Sequence, residues 1–254
     1  MRAGTEKRIK LAAAALAVCL CFCLACLCAC EDPPVADLTD MAANSYEVEI
    51  TDAEEYRLYM PKATGVTCGF IFYLGTAMNT DNYDVILSAI SAAGVAVYVS
   101  SNPFPDLLYE ERENAYSILN AEKYFIGGHS QGGGAAVRRA CENAQTTAGT
   151  ILLSPLISND FTLADKDVPT LYFEAENDYV LSSSMQAAAK GRMNESCEFI
   201  TLRGAGHMCY GASDLLDGGG TIRDKAEIQR EVSAAILAFM QRVIDASASA
   251  GAPV

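Results

Sequence analysis

At 254 residues, 51% of them hydrophobic and 20% charged, the chain has globular rather than disordered composition and is long enough to bury a core without disulfide support. Its formal net charge of −14 repels phosphate backbones, which argues against nucleic acid as a partner and favours uncharged or cationic small molecules.

The charges are unevenly placed. Arg2, Lys7, Arg8 and Lys10 precede a run from Leu11 to Ala29 that carries no charge, the pattern of an export signal. Cys19, Cys21, Cys23, Cys26, Cys28 and Cys30 fall within or just after this run. A metal site there is disfavoured, because the surrounding Leu, Ala, Val and Phe offer nothing to hydrogen-bond and orient thiolate ligands. Cysteine serves in this stretch as a small hydrophobe. The run closes on "LCAC", Leu27 to Cys30, followed by "EDPP". That ending resembles the lipobox of bacterial lipoproteins, with a leucine three residues before the cysteine and a small residue just before it. The resemblance implies cleavage ahead of Cys30 and lipid on Cys30. It also implies anchoring by more than one acyl chain at the extracytoplasmic face of a bacterial cell membrane. The alternative is a retained transmembrane helix, for which about 20 apolar residues suffice.

Loss of residues 1–30 would remove four basic residues against one acidic, Glu6, and leave the remainder more acidic still. Cys68, Cys141, Cys197 and Cys209 would remain in an oxidising location. They either pair, in one of three connectivities, or stay as free thiols, and their spacing chooses neither.

Residues 31–44 read as a tether and 45–254 as one domain. "YEVEI" and "EYRLYM" alternate polar and apolar residues around "TDAE", a hairpin pattern. "GFIFYLG" (69–75) is a continuous apolar run suited to a strand buried on both faces. "YDVILSAISAAG" has helical spacing with Gly94 as its C-terminal cap, and "VAVYVS" is a second buried strand. A helix over 106–120 leads to the strand "KYFIGG", and a helix after Ser130 leads to the strand "GTILLSP". The order closes with the strand "PTLYFEAEND", a helix over 183–190, the strand "CEFITLRGAGH" and a last helix over 224–245. Alternation of this kind predicts a doubly wound, mostly parallel sheet with an antiparallel N-terminal hairpin. Sites in such sheets lie beyond the carboxyl ends of the strands. Only the short stretch from Leu156 to Val168 separates two of the strands, so no substantial lid domain is expected.

The junction "GGHSQGG" (127–133) sits between a strand and a helix. It lacks the lysine of a phosphate-binding Walker loop and does not meet G-x-G-x-x-G. It does meet G-x-S-x-G, with Gly128, Ser130 and Gln131 followed by Gly132, the spacing of a turn tight enough to push a serine side chain into the open. A serine nucleophile needs a base. The chain has two histidines: His129 adjoins the serine and points elsewhere, and His207 lies in "GAGH" just past the last strand. An acid is expected between Ser130 and His207 in chain order. Asp178, leaving the strand "LYF", is the preferred candidate, and Asp160, after the preceding strand, is the alternative. The amide of Gln131 supplies one donor for a tetrahedral oxyanion. The second is expected after the "GFIFYLG" strand at Thr76, which reads equally as a plain turn residue. Nothing in the pattern calls for a metal or other cofactor.

From Cys68 to Met240 the chain resembles the α/β-hydrolases, and in particular a bacterial esterase- and lipase-like branch. The matching stretches are "FYLGTA", "GGHSQGG", "EAEND", "GAGH" and "LDGGGTI" (216–222). The chain departs from the family pattern in the threonine inserted into the first motif and in the glutamate that replaces glycine before the acid. The resemblance implies a serine hydrolase that cleaves small or medium carboxylic esters through an acyl-enzyme, with Ser130 as nucleophile, His207 as base and Asp178 orienting it. An acyltransferase, thioesterase or amidase on the same residues is the enzymatic alternative. A silent fold that binds a surface ligand is the non-enzymatic one. The "LDGGGTI" stretch has no role derivable from its residues, and oligomeric state is not legible.

Overall fold

Two strands of opposite character set the architecture. In the computed structural model, which describes residues 33–101 and 109–250, every residue of β3 (Cys68–Tyr73) and β4 (Ala96–Ser100) is buried. β1 (Val48–Asp52) is exposed along most of its length. The apolar runs therefore occupy the interior of the sheet, and the alternating hairpin closes one edge. β2 (Tyr56–Pro61) pairs antiparallel with both β1 and β4. β5 (Lys123–His129), β6 (Thr147–Leu153), β7 (Thr170–Ala175) and β8 (Glu198–Leu202) continue the sheet in parallel from β3. The eight strands run in the order β1-β2-β4-β3-β5-β6-β7-β8.

Side chains alternate between two cores, as the pleat requires. Phe70 and Phe72 face one layer, which holds Ile86, Leu87 and Ile90 of α1 (Asp84–Ala92) and Ile228, Val232 and Ile236 of α5 (Lys225–Ala250). Ile71 and Tyr73 face the other, with Leu119 of α2 (Tyr109–Leu119) and Ala136 and Val137 of α3 (Gln131–Glu142). α4 (Ser183–Lys190) adds Ala189 to this second layer. Gly94 closes α1 with φ of +103°, a left-handed conformation that an L side chain resists. The link from β6 to β7 inserts no strand or helix, and no large lid is evident among the described residues.

Of the segment read as a tether, residues from Val35 belong to the same compact unit as the sheet. Val35 bridges to Thr64, and Met41 is buried against α5, its amide donating to Gln241 Oε1 at 2.9 Å. The apolar spacing around Met41 is too sparse to signal that packing from sequence. Cys68, Cys141, Cys197 and Cys209 are all free thiols, Cys68 and Cys209 buried; burial pushes the Cys68 thiol up to about 12. The export segment, the lipobox and Cys30 lie outside the described residues. Among the described residues no helix is long and apolar enough to cross a membrane.

Candidate active site

β5 ends at His129, and α3 begins at Gln131, so Ser130 alone makes the turn between them. Its backbone takes φ 53° and ψ −118°, a strained conformation that costs a non-glycine residue of order 1–3 kcal/mol. The surrounding ladder holds it there. The Ser130 amide donates to the Leu153 carbonyl at 3.0 Å, and its own carbonyl accepts from Gly134 and Leu156 at 3.2 and 2.8 Å. The two framing glycines are steric requirements. A Cβ on Gly128 would strike the Gly132 backbone, and one on Gly132 would strike the carbonyl oxygens of Tyr73 and Leu74.

His207 and Asp178 leave the carboxyl ends of β8 and β7 and meet. The His207 Nδ1–H donates to Asp178 Oδ2 at 2.8 Å, with side chains only 2% and 1% exposed. Because a carboxylate only accepts, this contact puts the ring proton on Nδ1 and leaves Nε2 as the basic nitrogen. The other carboxylate oxygen accepts from the amides of Val180 and Leu181 at 2.9 and 2.8 Å, so the acid is held from both sides. Asp160 is exposed and accepts from the Ser158 hydroxyl at 3.1 Å. Glu176 accepts from the Gly204 amide at 2.8 Å, and Glu174 pairs with Lys190.

The His207 ring lies 4.8 Å, centroid to centroid, from that of His129, next to Ser130 in the chain. Among the described residues Ser130 Oγ makes no hydrogen bond.

Thr76 and Gln131 are brought together across the elbow, the Thr76 hydroxyl donating to Gln131 Oε1 at 2.8 Å. Among the described residues the amides of both donate to no backbone carbonyl, and Gln131 opens the N-terminus of α3, where backbone donors favour negative charge. Close seating of Gly132 on the Tyr73 and Leu74 carbonyls is what lets the two loops approach.

The "LDGGGTI" stretch acquires a structural role. Asp217, 5% exposed, accepts at Oδ1 from the Met208 amide (3.2 Å) and the Thr221 hydroxyl (2.9 Å), and at Oδ2 from the Thr221 amide (2.9 Å). Thr221 Oγ1 in turn accepts from the Gly206 amide at 3.0 Å. The flanks of His207 are thereby strapped on both sides. Asn177, beside Asp178, donates to the Gly220 carbonyl at 3.0 Å and extends the strap to the acid loop. Burial alone would raise the Asp217 pKa, but these hydrogen bonds hold it below the usual carboxylate range. The aspartate and glycines were visible in the sequence, but nothing local says which backbone they bind.

Among the described residues no group of three His, Cys, Asp or Glu side chains is placed to hold a metal ion. Residues 69–230 match the family model described as the alpha/beta hydrolase family. No curated protein sequence matches the chain. Among solved structures, one described as a predicted CIB-like hydrolase from Thermoplasma acidophilum is similar with a TM-score of 0.56 and 15% identity, covering 77% of this chain and 100% of its own. Est1E from Butyrivibrio proteoclasticus is similar with a TM-score of 0.56 and 15% identity, covering 76% and 98%.

Proposed function

The chain belongs to the alpha/beta hydrolase family, and from that premise we propose that it is a serine hydrolase that cleaves carboxylic esters of small or medium size. The observation that carries this reading is the buried Asp178–His207 pair beside the strained Ser130 turn. Ser130 Oγ attacks the ester carbonyl carbon while His207 Nε2 takes its proton. The developing oxyanion is held by the amides of Gln131 and Thr76, each such donor contributing about 10²–10³ in rate. The tetrahedral adduct collapses, and the His207 imidazolium returns the proton to the leaving alcohol. Water, deprotonated by the same nitrogen, then attacks the acyl-Ser130 carbonyl and regenerates the serine. Asp178 keeps the ring in the tautomer that accepts at Nε2 and stabilises its cation. The short β6–β7 link supports an open pocket and thus small or medium acyl groups.

We propose separately that the chain is an exported lipoprotein, lipidated on Cys30 and facing the extracytoplasmic side. It rests on the basic start, the uncharged run and "LCAC". Mass spectrometry of the mature N-terminus tests it: diacylglyceryl-modified Cys30 is expected, and an unmodified N-terminus ahead of residue 30 rejects it. For the chemistry, a panel of nitrophenyl esters of graded acyl length and a fluorophosphonate probe are the tests. Hydrolysis and labelling at Ser130 alone are expected. A folded protein that hydrolyses no ester and takes no label would instead be a binding protein on a hydrolase fold.

A further inference from the structure

His129 precedes the nucleophile, yet its ring turns into the core and is fully buried. Its Nε2 lies 3.0 Å from the His207 carbonyl oxygen, and its Nδ1 lies 2.8 Å from the Tyr83 hydroxyl. A carbonyl only accepts, so Nε2 carries a hydrogen. Burial first, and then the nearby His207, hold the His129 pKa well below the usual imidazole range, so the ring is neutral. Nδ1 is therefore an acceptor, and the Tyr83 O–H donates to it. The Tyr83 oxygen in turn accepts from the Gly75 amide at 3.1 Å. Every direction in the chain Gly75 N–H to Tyr83, Tyr83 to His129, His129 to the His207 carbonyl is thus determined.

The two ends of this chain are the two loops whose spacing matters for the proposed reaction. Gly75 precedes Thr76, and the far end is the backbone of His207 itself. Packing is equally tight. A Cβ on Gly75 would run into His129 Nδ1, so that glycine is required by the ring. The Tyr210 ring packs against that of His129 with 5.2 Å between centroids, its own hydroxyl 2.8 Å from Ser154 Oγ.

We infer that His129 is a positioning residue which, through Tyr83, holds the Thr76 amide and the His207 imidazole at the separation the reaction needs. This rests on the ester-hydrolase reading above. The chain of hydrogen bonds makes no contact with the reacting atoms, so its loss acts through geometry. A displacement of about 1 Å in a reacting constellation costs of order 10²-fold in rate.

The test uses the complete protein and nitrophenyl acetate, with Tyr83→Phe, His129→Phe and His129→Gln measured beside the wild type. Tyr83→Phe keeps the ring and removes one hydroxyl; it should lower kcat about 10- to 100-fold with KM within about twofold, the pattern of an interaction that counts only in the transition state. His129→Phe should lose at least as much. His129→Gln restores an N–H for the His207 carbonyl and should recover about tenfold over His129→Phe, which a role in core packing alone would not produce. Circular dichroism at the assay temperature checks that each variant is folded; if His129→Phe is not, Tyr83→Phe decides. A folded Tyr83→Phe with kcat within about threefold of wild type, or with its loss confined to KM, overturns the inference while leaving the esterase reading intact. A wild type that neither hydrolyses esters nor takes a fluorophosphonate overturns both.

Discussion

Asp178 and His207 are joined by a 2.8 Å hydrogen bond between side chains that are 1% and 2% exposed, although 29 positions separate them in the chain. In a site so dry, the carboxylate decides which ring nitrogen is basic. Asp178→Asn should therefore lower kcat by about three to four orders of magnitude with little change in KM. Asp160, exposed and engaged with Ser158, gives the control, and Asp160→Asn should change kcat less than about tenfold. Steady-state kinetics of both variants on one nitrophenyl ester measure the ranking. The reverse ranking moves the acid to Asp160, and two mild effects point to a neighbouring carboxylate such as Glu176.

Ser130→Ala should leave the fold intact and lower ester hydrolysis by about five to six orders of magnitude, the loss seen when a serine nucleophile is removed. Single-turnover assays and fluorophosphonate labelling check it. Retention of more than about a thousandth of the activity would mean that another group attacks the ester.

Two glycines separate steric from conformational cost. Gly132→Ala drives a Cβ into the Tyr73 and Leu74 carbonyl oxygens, so it should destabilise the domain by about 1–3 kcal/mol and reduce activity by spreading the elbow from the Thr76 loop. At Gly219 a Cβ would meet nothing within 4 Å, but φ is +78°. Gly219→Ala should cost about 1–2 kcal/mol through backbone strain and lower kcat less than Gly132→Ala does. Urea unfolding and kinetics on the two variants make the comparison, and equal activity in both would remove the elbow argument.

Asp217 links stability to pH. Its carboxyl is held below the usual range in the fold by hydrogen bonds that outweigh burial. A depressed folded pKa contributes stability that is fully present above the unfolded value of about 3.9 and is lost as pH falls through the lower folded value. Asp217→Asn should thus cost about 1.5–3 kcal/mol near neutral pH, since an amide cannot accept from all three donors. That difference should shrink as the medium is acidified below about pH 4. Denaturant unfolding at neutral pH and near pH 3 measures it; a difference independent of pH would place the effect in packing instead of charge.

What the sequence by itself determined is local in origin. The buried strands β3 and β4 announce themselves as unbroken apolar runs, and the order of strands and helices leaves a doubly wound sheet as the packing that buries both faces. The G-x-S-x-G spacing is legible for the same reason, because the steric demands of the turn fall on residues adjacent in the chain. Sequence order favoured Asp178 over Asp160 without showing the contact, since spacing places each beyond a strand end; it is the packing of the β7 and β8 loops that sets Asp178 against His207. His129 could be seen to differ from His207 but not to face Tyr83 and the His207 backbone, nor could Asp217 be seen to bind the Met208 and Thr221 amides. Those partners are chosen by the tertiary structure. Once the sheet has excluded water, each buried donor and acceptor must be satisfied by whatever the fold carries to within hydrogen-bond distance, and that cannot be read from the chain one segment at a time.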